Sequence, residues 1–415
     1  MAPSREFDLV LLGPTGYTGK LCGEYIVQHT PTNLKWALAG RSASKLQSVS
    51  EVLESMNPDR IKPDIICVQL NDEELDFLAR RTRIVLNCVG PYHLYSTPVV
   101  AACAANGTHH LDVTGETPWI KLIIEKYHDT AKANGALIIP SLGLESVPPD
   151  ILAWSLVKLI REKLSVGTKE VTTSLHEMIS TGPSGGTLST IFSMIETVTI
   201  SDLIKSMNPL ALAVPPLPEI TRKQSVAEKI FGVRSIPDLG TLTTAISSLA
   251  DTAIVYRSST LLRDFYGPRF NFRHFQHARN AVVGSAFHYA FMFGIALLTF
   301  APIRWLASKL VYAPGEGPKK EDSLKDMIEY RAVAVADQDI DKPKRAFGRL
   351  VYHGSVYGFT GLMLTEAAMV ILEHEDEVRQ TSGGGIVTSA TLGQYYVDRL
   401  ERVGCHIETE LLLND

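Results

Sequence analysis

The run Phe7-Asp8-Leu9-Val10-Leu11-Leu12 passes without a break into Gly13-Pro14-Thr15-Gly16-Tyr17-Thr18-Gly19, so an apolar stretch meets three glycines spaced three apart. Leu9 to Leu12 reads as a parallel strand buried on both faces. A chain that then turns into a helix, here Lys20 to His29, needs glycine where the backbone bends or approaches another group. Gly13 supplies the bend. Gly16, without a Cβ, lets the loop lie against a diphosphate at the amino end of the helix, and Gly19 lets that helix pack close to the strand. The spacing is GxxGxxG rather than GxGxxG, and a glycine triplet alone is a weak signal. The strand before it and the helix after it are what a dinucleotide cradle requires. Gly13, Thr15, Gly16, Tyr17, Thr18 and Gly19 are the first candidate cofactor-binding residues.

The second apolar run, Leu34 to Ala39, ends in Gly40-Arg41-Ser42, roughly where such folds read the adenosine ribose. An acid there would accept bonds from a free 2′-hydroxyl. A guanidinium, helped by Ser42 and Lys45, suits a 2′-phosphate, so the expected cofactor is NADPH rather than NADH. The plainer alternative is a solvated arginine at a helix start.

The following segments alternate helix and strand: Ser44 to Ser55, Asp64 to Val68, Asn71 to Arg80, Ile84 to Cys88, Ser96 to Asn106, the strand from His109, Trp119 to Asn134, and Ala136 to Ile139. That alternation predicts a Rossmann-type, doubly wound parallel sheet. Ligands of such sheets sit beyond the carboxyl ends of the strands. The loop Cys88-Val89-Gly90-Pro91-Tyr92-His93 should therefore run past the ribose and nicotinamide. Cys88, Gly90 and Pro91 join the cofactor set, and Tyr92 and His93 are the candidate catalytic residues. For Tyr92 and His93, packing is an equally good reading.

The strand His109-His110-Leu111-Asp112 leads into Val113-Thr114-Gly115-Glu116, where carboxylates and imidazoles could do acid–base work. Glu116 stands before Thr117-Pro118-Trp119, and a helix-capping role is the expectation for it. For Asp112 both readings stay open.

At 415 residues the chain fits two domains. A net charge of −5 and no basic stripe with interleaved aromatics argue against nucleic acid as a partner. Five scattered cysteines without metal-ligand spacing point to a reducing compartment and to no metal site. Met1 to Glu6 carries no apolar signal region, so the cytoplasmic side is expected.

Further on, Ile151 to Glu162 reads as a helix and Lys169 to Ile179 as a strand, before Ser184-Gly185-Gly186-Thr187 opens a helix from Leu188 to Val198. That turn either presents backbone donors to an anion or carbonyl, or is a tight strand-to-helix turn. Ala281 to Ala301 has no formal charge and is about long enough to cross a bilayer. Arg273, Arg279, Arg304 and Lys309 flank it, and Pro302 separates it from a second apolar run, Ile303 to Tyr312. The pattern suits a helix–Pro–helix hairpin on a membrane or lipid-droplet surface, a span, a buried helix, or a homodimer interface. After the polar linker Gly315 to Asp322, alternating runs Ile328 to Ala336 and Arg345 to Tyr357 predict a hairpin, followed by a helix from Gly361 to Leu372.

Five motifs in order carry a family resemblance: Gly13 to Gly19, Ala39-Gly40-Arg41, Asn87-Cys88-Val89-Gly90-Pro91-Tyr92, Asp112-Val113-Thr114-Gly115-Glu116, and Gly143-Leu144-Glu145-Ser146-Val147-Pro148-Pro149-Asp150. They resemble the GxxGxTG, AGR, NCVGPY, DxTGE and GFDSIPSD motifs of the saccharopine dehydrogenase-like oxidoreductases, including the trans-acting enoyl reductases of bacterial lipid and polyketide assembly. The departure is Leu144-Glu145 where that family has Phe-Asp.

The resemblance implies an NADPH-dependent reductase acting on a C=C bond of a carrier-bound or lipid-like substrate, with a polyketide synthase as partner and contact with a lipid surface. A saccharopine-type imine oxidoreductase, or a non-catalytic nucleotide-binding protein on lipid, are the alternatives. The expected organisation is an NADPH-binding domain over 1–148 and an α+β substrate and dimerisation domain on a mixed antiparallel sheet over 149–375. The apolar segment 281–312 belongs to that second domain, and 376–415 returns to the first.

Overall fold

The computed structural model describes residues 5–220, 225–309, 312–313 and 315–413. Met1 to Ser4, and Leu310 and Val311 of the second apolar run, lie outside the described residues.

The strands are β1 (Phe7–Leu12), β2 (Trp36–Gly40), β3 (Asp64–Cys67), β4 (Thr82–Asn87), β5 (His109–Asp112), β6 (Leu137–Ile139), β7 (Thr168–Ile179), β8 (Val233–Ile236), β9 (Gly240–Thr243), β10 (Asn271–His277), β11 (Met327–Ala336), β12 (Arg345–His353), β13 (Gly385–Ile386) and β14 (His406–Leu412). They form two seven-stranded sheets. The first is wholly parallel in the order β13-β6-β5-β4-β1-β2-β3, and the second is mixed, in the order β14-β12-β11-β7-β10-β9-β8.

The run Leu9 to Leu12 is apolar because both faces of β1 are covered, and all four residues are buried. In register, Leu12 stands beside Ala39 of β2 and Asn87 of β4, which aligns three strand ends along one edge. The helix Tyr17–His29 packs against the long helix Val356–Ser382. A Cβ on Gly361 would lie 3.0 Å from the backbone nitrogen of Cys22, so glycine there sets how closely these helices approach. Tyr25 donates to Glu366 at 2.7 Å across the same seam.

The helices Val147–Leu164 and Ser248–Leu261 pack against the second sheet. The guanidinium of Arg257, inside the latter helix, is buried and donates to the carbonyls of Leu212 and Ile386, tying β13 of the first sheet to the second domain.

Three sequence expectations shift. The strand expected to reach Tyr357 stops at His353, because Gly354 adopts φ +131° and Ser355 accepts from the Gly358 amide to start a helix. That helix runs to Ser382, with a non-helical break at His374. The tail serves both sheets: β13 pairs with β6, and β14 pairs with β12 on the edge of the second sheet.

The helix Ala281–Leu298 buries only Gly284, whose missing Cβ lets it approach Val233 and Thr243 of the β8–β9 hairpin. Thr243 donates to the Gly284 carbonyl, and the Thr244 hydroxyl bonds to His288, so the amino-terminal half is anchored. The remaining residues are half-buried or exposed, and the helix Ala301–Ser308 that follows is tied to the helix Gly185–Thr197 by Arg304, which pairs with Glu196 at 3.0 Å. A helix buried within its own chain is therefore not what this segment forms.

Candidate active site

Gly13 has φ +83°, and a Cβ there would meet Val89 Cγ2 at 2.7 Å. The turn is thus squeezed between β1 and the loop after β4. A Cβ on Gly19 would drive into the Gly13 carbonyl and lie 3.0 Å from Pro14 Cα, which is rigid backbone. Gly16 differs. It is the N-cap of the helix Tyr17–His29, at φ −75° and ψ 166°, and the nearest atom to a Cβ there is the Gly13 oxygen at an ordinary 3.6 Å. Nothing in the chain's own packing requires glycine at 16, and the bare backbone faces a cleft of 790 Å³. A cradle that a methyl group would fill fits a diphosphate held by first-turn amides.

The cleft is lined by Gly13, Thr15 and Gly16 on the first turn, by Arg41 and Lys45 at the end of β2, and by Cys88, Val89 and Gly90 at the end of β4. Arg41 and Lys45 are exposed, and among the described residues neither side chain makes a hydrogen bond or ion pair. Two cations held free at the wall of this cleft suit a dinucleotide with an extra phosphate on its adenosine ribose. Gly315, from the stretch expected only as a linker, closes part of the wall, which nothing in its sequence signalled.

The other predicted residues stand outside this lining. Tyr17 turns toward the second domain, donating to the Pro318 carbonyl at 2.7 Å with its ring edge-on to Tyr357. Thr18 and Gly19 lie in the first turn of the helix. Ser42 caps the helix Ala43–Met56 by accepting from the Lys45 amide. Pro91 is the N-cap of the short helix Tyr92–Tyr95.

Tyr92 is buried, tilted against Trp119, with its hydroxyl on the Asn87 carbonyl at 3.3 Å. Burial holds that hydroxyl's pKa well above the usual tyrosine range. The structure thus puts Tyr92 on the packing side of the choice, because the short helix turns its ring inward. His93 is bridged instead. Its Nδ1 lies 2.6 Å from Glu116 Oε2, and its Nε2 lies 3.0 Å from both Ser193 Oγ and Thr197 Oγ1 of the helix Gly185–Thr197.

Glu116 corrects an expectation. It makes no cap bond to its own helix; its carboxylate turns back and accepts the amides of Tyr92 and His93, both at 2.8 Å. It is a cap, but of the helix after the Gly90-Pro91 turn, because two free amides and an imidazole converge there. Asp112 is also structural. Its Oδ1 accepts the amides of Thr114 and Ser141, and burial pushes its pKa up to about 7. His109 and His110 are buried beneath the sheet edge, His109 accepting the Leu137 amide and His110 bonding Asn87.

The second domain roofs the site. Ser184 caps the helix Gly185–Thr197, and the Tyr357 hydroxyl bonds both the Ser184 amide (2.6 Å) and Thr187 (2.9 Å). The Ser-Gly-Gly-Thr turn is therefore internally satisfied, and its helix brings Thr190 to 3.9 Å from the Cβ position of Gly90.

With this geometry in view, residues 9–139 match the family model of the saccharopine dehydrogenase NADP-binding domain. A Mycobacterium tuberculosis protein provisionally named a trans-acting enoyl reductase is 30% identical over 427 aligned positions, covering 99% of both chains. The chain belongs to this family of saccharopine dehydrogenase-like oxidoreductases. The trans-acting enoyl reductase of Mycobacterium bovis is 27% identical, over 99% of this chain and 100% of that one. Among solved structures, the apo L-glutamate-forming saccharopine dehydrogenase of Saccharomyces cerevisiae shares the fold, with TM-score 0.54 at 12% identity and coverage of 98% of this chain and 100% of that one. The family member described here is an NADPH-dependent oxidoreductase, built on a parallel nucleotide-binding sheet joined to a mixed one.

Proposed function

We propose that this chain reduces the C=C bond of an α,β-unsaturated acyl thioester presented on a carrier by a polyketide synthase. The observation that carries the reading is the open backbone at Gly16 facing the unpaired Arg41 and Lys45, in a chain similar over its full length to proteins named trans-acting enoyl reductases. Bound NADPH supplies a hydride. Gly13, Thr15, Gly16, Arg41 and Lys45 hold the cofactor, and Cys88, Val89 and Gly90 wall the cleft toward the reacting end. Glu116 fixes the Gly90-Pro91 turn by capping the helix behind it, and His93 links that turn to the roof. An imine substrate bearing several carboxylates would call for an arginine cluster, and the cations lining the cleft are Lys20, Arg41 and Lys45, on the walls formed by the first helix and the end of β2.

The test is loss of NADPH absorbance with a 2-enoyl thioester of N-acetylcysteamine, beside matched ketones and imines. Turnover of the enoyl substrate with NADPH preferred to NADH is expected. Absence of turnover with that substrate, or a preference for the imine, removes the reading.

We further propose that the exposed helices Ala281–Leu298 and Ala301–Ser308 rest on an anionic lipid surface at the cytoplasmic side. Mean hydropathy over the first helix is 1.8 with 6% of it buried, and Phe293, Phe300 and Trp305 are each over 60% exposed. Arg279 and Lys309, both exposed, flank the apolar face, and a cationic rim round an apolar helix is the pattern of interfacial binding. Co-sedimentation with vesicles containing phosphatidylserine should be strong, and weakened by Phe293→Glu with Trp305→Glu. A parent protein that stays in the supernatant as a stable dimer assigns the face to a second copy instead.

A further inference from the structure

In the reduction proposed above, a proton must reach the α-carbon, and neither residue expected from the sequence to give it is free to do so. Tyr92 is buried on a backbone carbonyl, and His93 is held at both ring nitrogens. Asp112 has no exposed surface. The Cys88 thiol lines the cleft, but its pKa is held well above the thiol range by a hydrogen bond with Cys22 and by burial.

Glu145 lies in the loop that leaves β6, at the same strand edge. Its residue is exposed, unlike the neighbouring acids Asp112, Glu116, Asp150 and Asp251, all of which are buried. Among the described residues its carboxyl group makes no hydrogen bond and no ion pair. The Oε2 atom lies against the turn after β5, 3.1 Å from the Cβ position of Gly115. The Leu144 carbonyl beside it accepts from Tyr330 of β11 at 3.3 Å, so the loop is fixed where the two domains meet. The second domain turns two titratable groups toward it, Asp251 and Tyr330, and no cation among the described residues compensates them. Although water reaches the residue, the protein crowded round the carboxyl group raises its pKa. A carboxyl group in this setting holds its proton more tightly than a solvated one and has no partner among the described residues.

We infer that Glu145 is the general acid that protonates the α-carbon of the reduced enoyl thioester. The inference rests on the enoyl-reductase reading. Hydride arrives at the β-carbon, and the former π pair becomes an enolate on the thioester. The Glu145 O–H bond breaks as the new Cα–H bond forms, returning that pair to carbon and leaving a carboxylate, which takes a proton back from water. The shorter aspartate that the family resemblance leads one to expect here would carry its carboxyl group about one methylene nearer the backbone.

The test compares the parent with Glu145→Gln and Glu145→Asp, using the 2-enoyl N-acetylcysteamine thioester. General acids contribute typically about 10²–10⁴-fold. Glu145→Gln should lose about a hundredfold or more in kcat with little change in KM or in NADPH binding read by fluorescence, and Glu145→Asp should recover part of the loss. In the parent, kcat should fall as pH rises through the raised carboxyl pKa, and that limb should vanish in Glu145→Gln.

A second readout needs no turnover. The infrared difference spectrum of the cofactor-free parent minus Glu145→Gln should show the carbonyl stretch of one protonated carboxyl group, which is lost as pH rises. If Glu145→Gln turns over within about threefold of the parent, or the carbonyl band is unchanged by the substitution, the inference is overturned while the reductase reading stands. If the parent consumes no NADPH with any enoyl thioester, both fall.

Discussion

Replacing Gly16 by alanine separates what the cradle does for the fold from what it does for the cofactor. At φ −75° and ψ 166° alanine is unstrained, and its Cβ would find its nearest neighbour at 3.6 Å. A compatible Gly→Ala change stabilises by about 0.4–1 kcal/mol, mainly by restricting the unfolded chain. Spread over 415 residues, that raises the melting temperature by roughly 1 °C. The same methyl group occupies the space facing the cleft. Forcing one extra methylene into a filled site costs about 1–3 kcal/mol, which is about five- to 150-fold in Kd.

The expected result is a protein at least as stable as the parent that binds NADPH at least about fivefold more weakly. The assays are thermal unfolding without nucleotide and NADPH titration followed by fluorescence. Unchanged NADPH affinity in a folded Gly16→Ala protein would refute the placement of the diphosphate, and with it the argument from the cleft.

Gly19→Ala should behave oppositely. Its Cβ meets the Gly13 carbonyl and Pro14 backbone, so the first helix must shift, and a loss of about 1–3 kcal/mol or more is expected in thermal unfolding. Arg41→Ala should weaken NADPH by about ten- to 150-fold, the equivalent of a charge-assisted bond of about 1.5–3 kcal/mol, and leave NADH nearly unchanged. Equal losses for both would show that Arg41 does not read the 2′-phosphate.

Acid stability gives a separate check on how the long carboxyl-terminal helix is clamped. Glu375 is held down to about pKa 2, first by its bond to His109 at 3.2 Å, with Arg379 at 2.6 Å and Arg83 at 3.4 Å adding to it. Burial disfavours the charged form of His109, but both arginines stay cationic, so the direction for Glu375 holds whichever form His109 takes. A carboxylate depressed on folding stabilises above its unfolded pKa of about 4.3. That contribution is lost as pH falls from there toward about 2. Glu375→Gln should therefore lower the melting temperature at pH 7 and flatten its fall below about pH 4; a parallel fall in both proteins would contradict it.

How much of this was legible beforehand differs from residue to residue. The strand, the glycine spacing and Arg41 could be read directly, because a buried parallel strand and a turn that excludes Cβ atoms leave marks within a few consecutive positions. The β8–β9 hairpin, β10 and the helix Ser248–Leu261 went unread, since short strands of mixed polarity take their pairing from distant partners. The motif placed Tyr92 and His93 in the loop after β4, yet their side chains answer to Trp119, Glu116 and the helix Gly185–Thr197. Those contacts span up to 104 positions of sequence separation and have no local signature. Glu116 was rightly read as a cap, but of the wrong helix. The exposure of the apolar helix Ala281–Leu298 was one of several possibilities the sequence left open, because hydropathy does not say what covers a surface.

By itself the sequence determined that a parallel nucleotide-binding sheet forms, that the turn after its first strand is crowded enough to need glycine, and that its second strand ends in a cation. Each of these is enforced by backbone geometry and burial within one strand–turn–helix unit. Only the tertiary structure decided which acids face the cleft and which are consumed in capping. It also decided that the tail completes both sheets, and that one uncharged helix is left outside. These depend on segments hundreds of residues apart competing for the same donors and the same apolar surface.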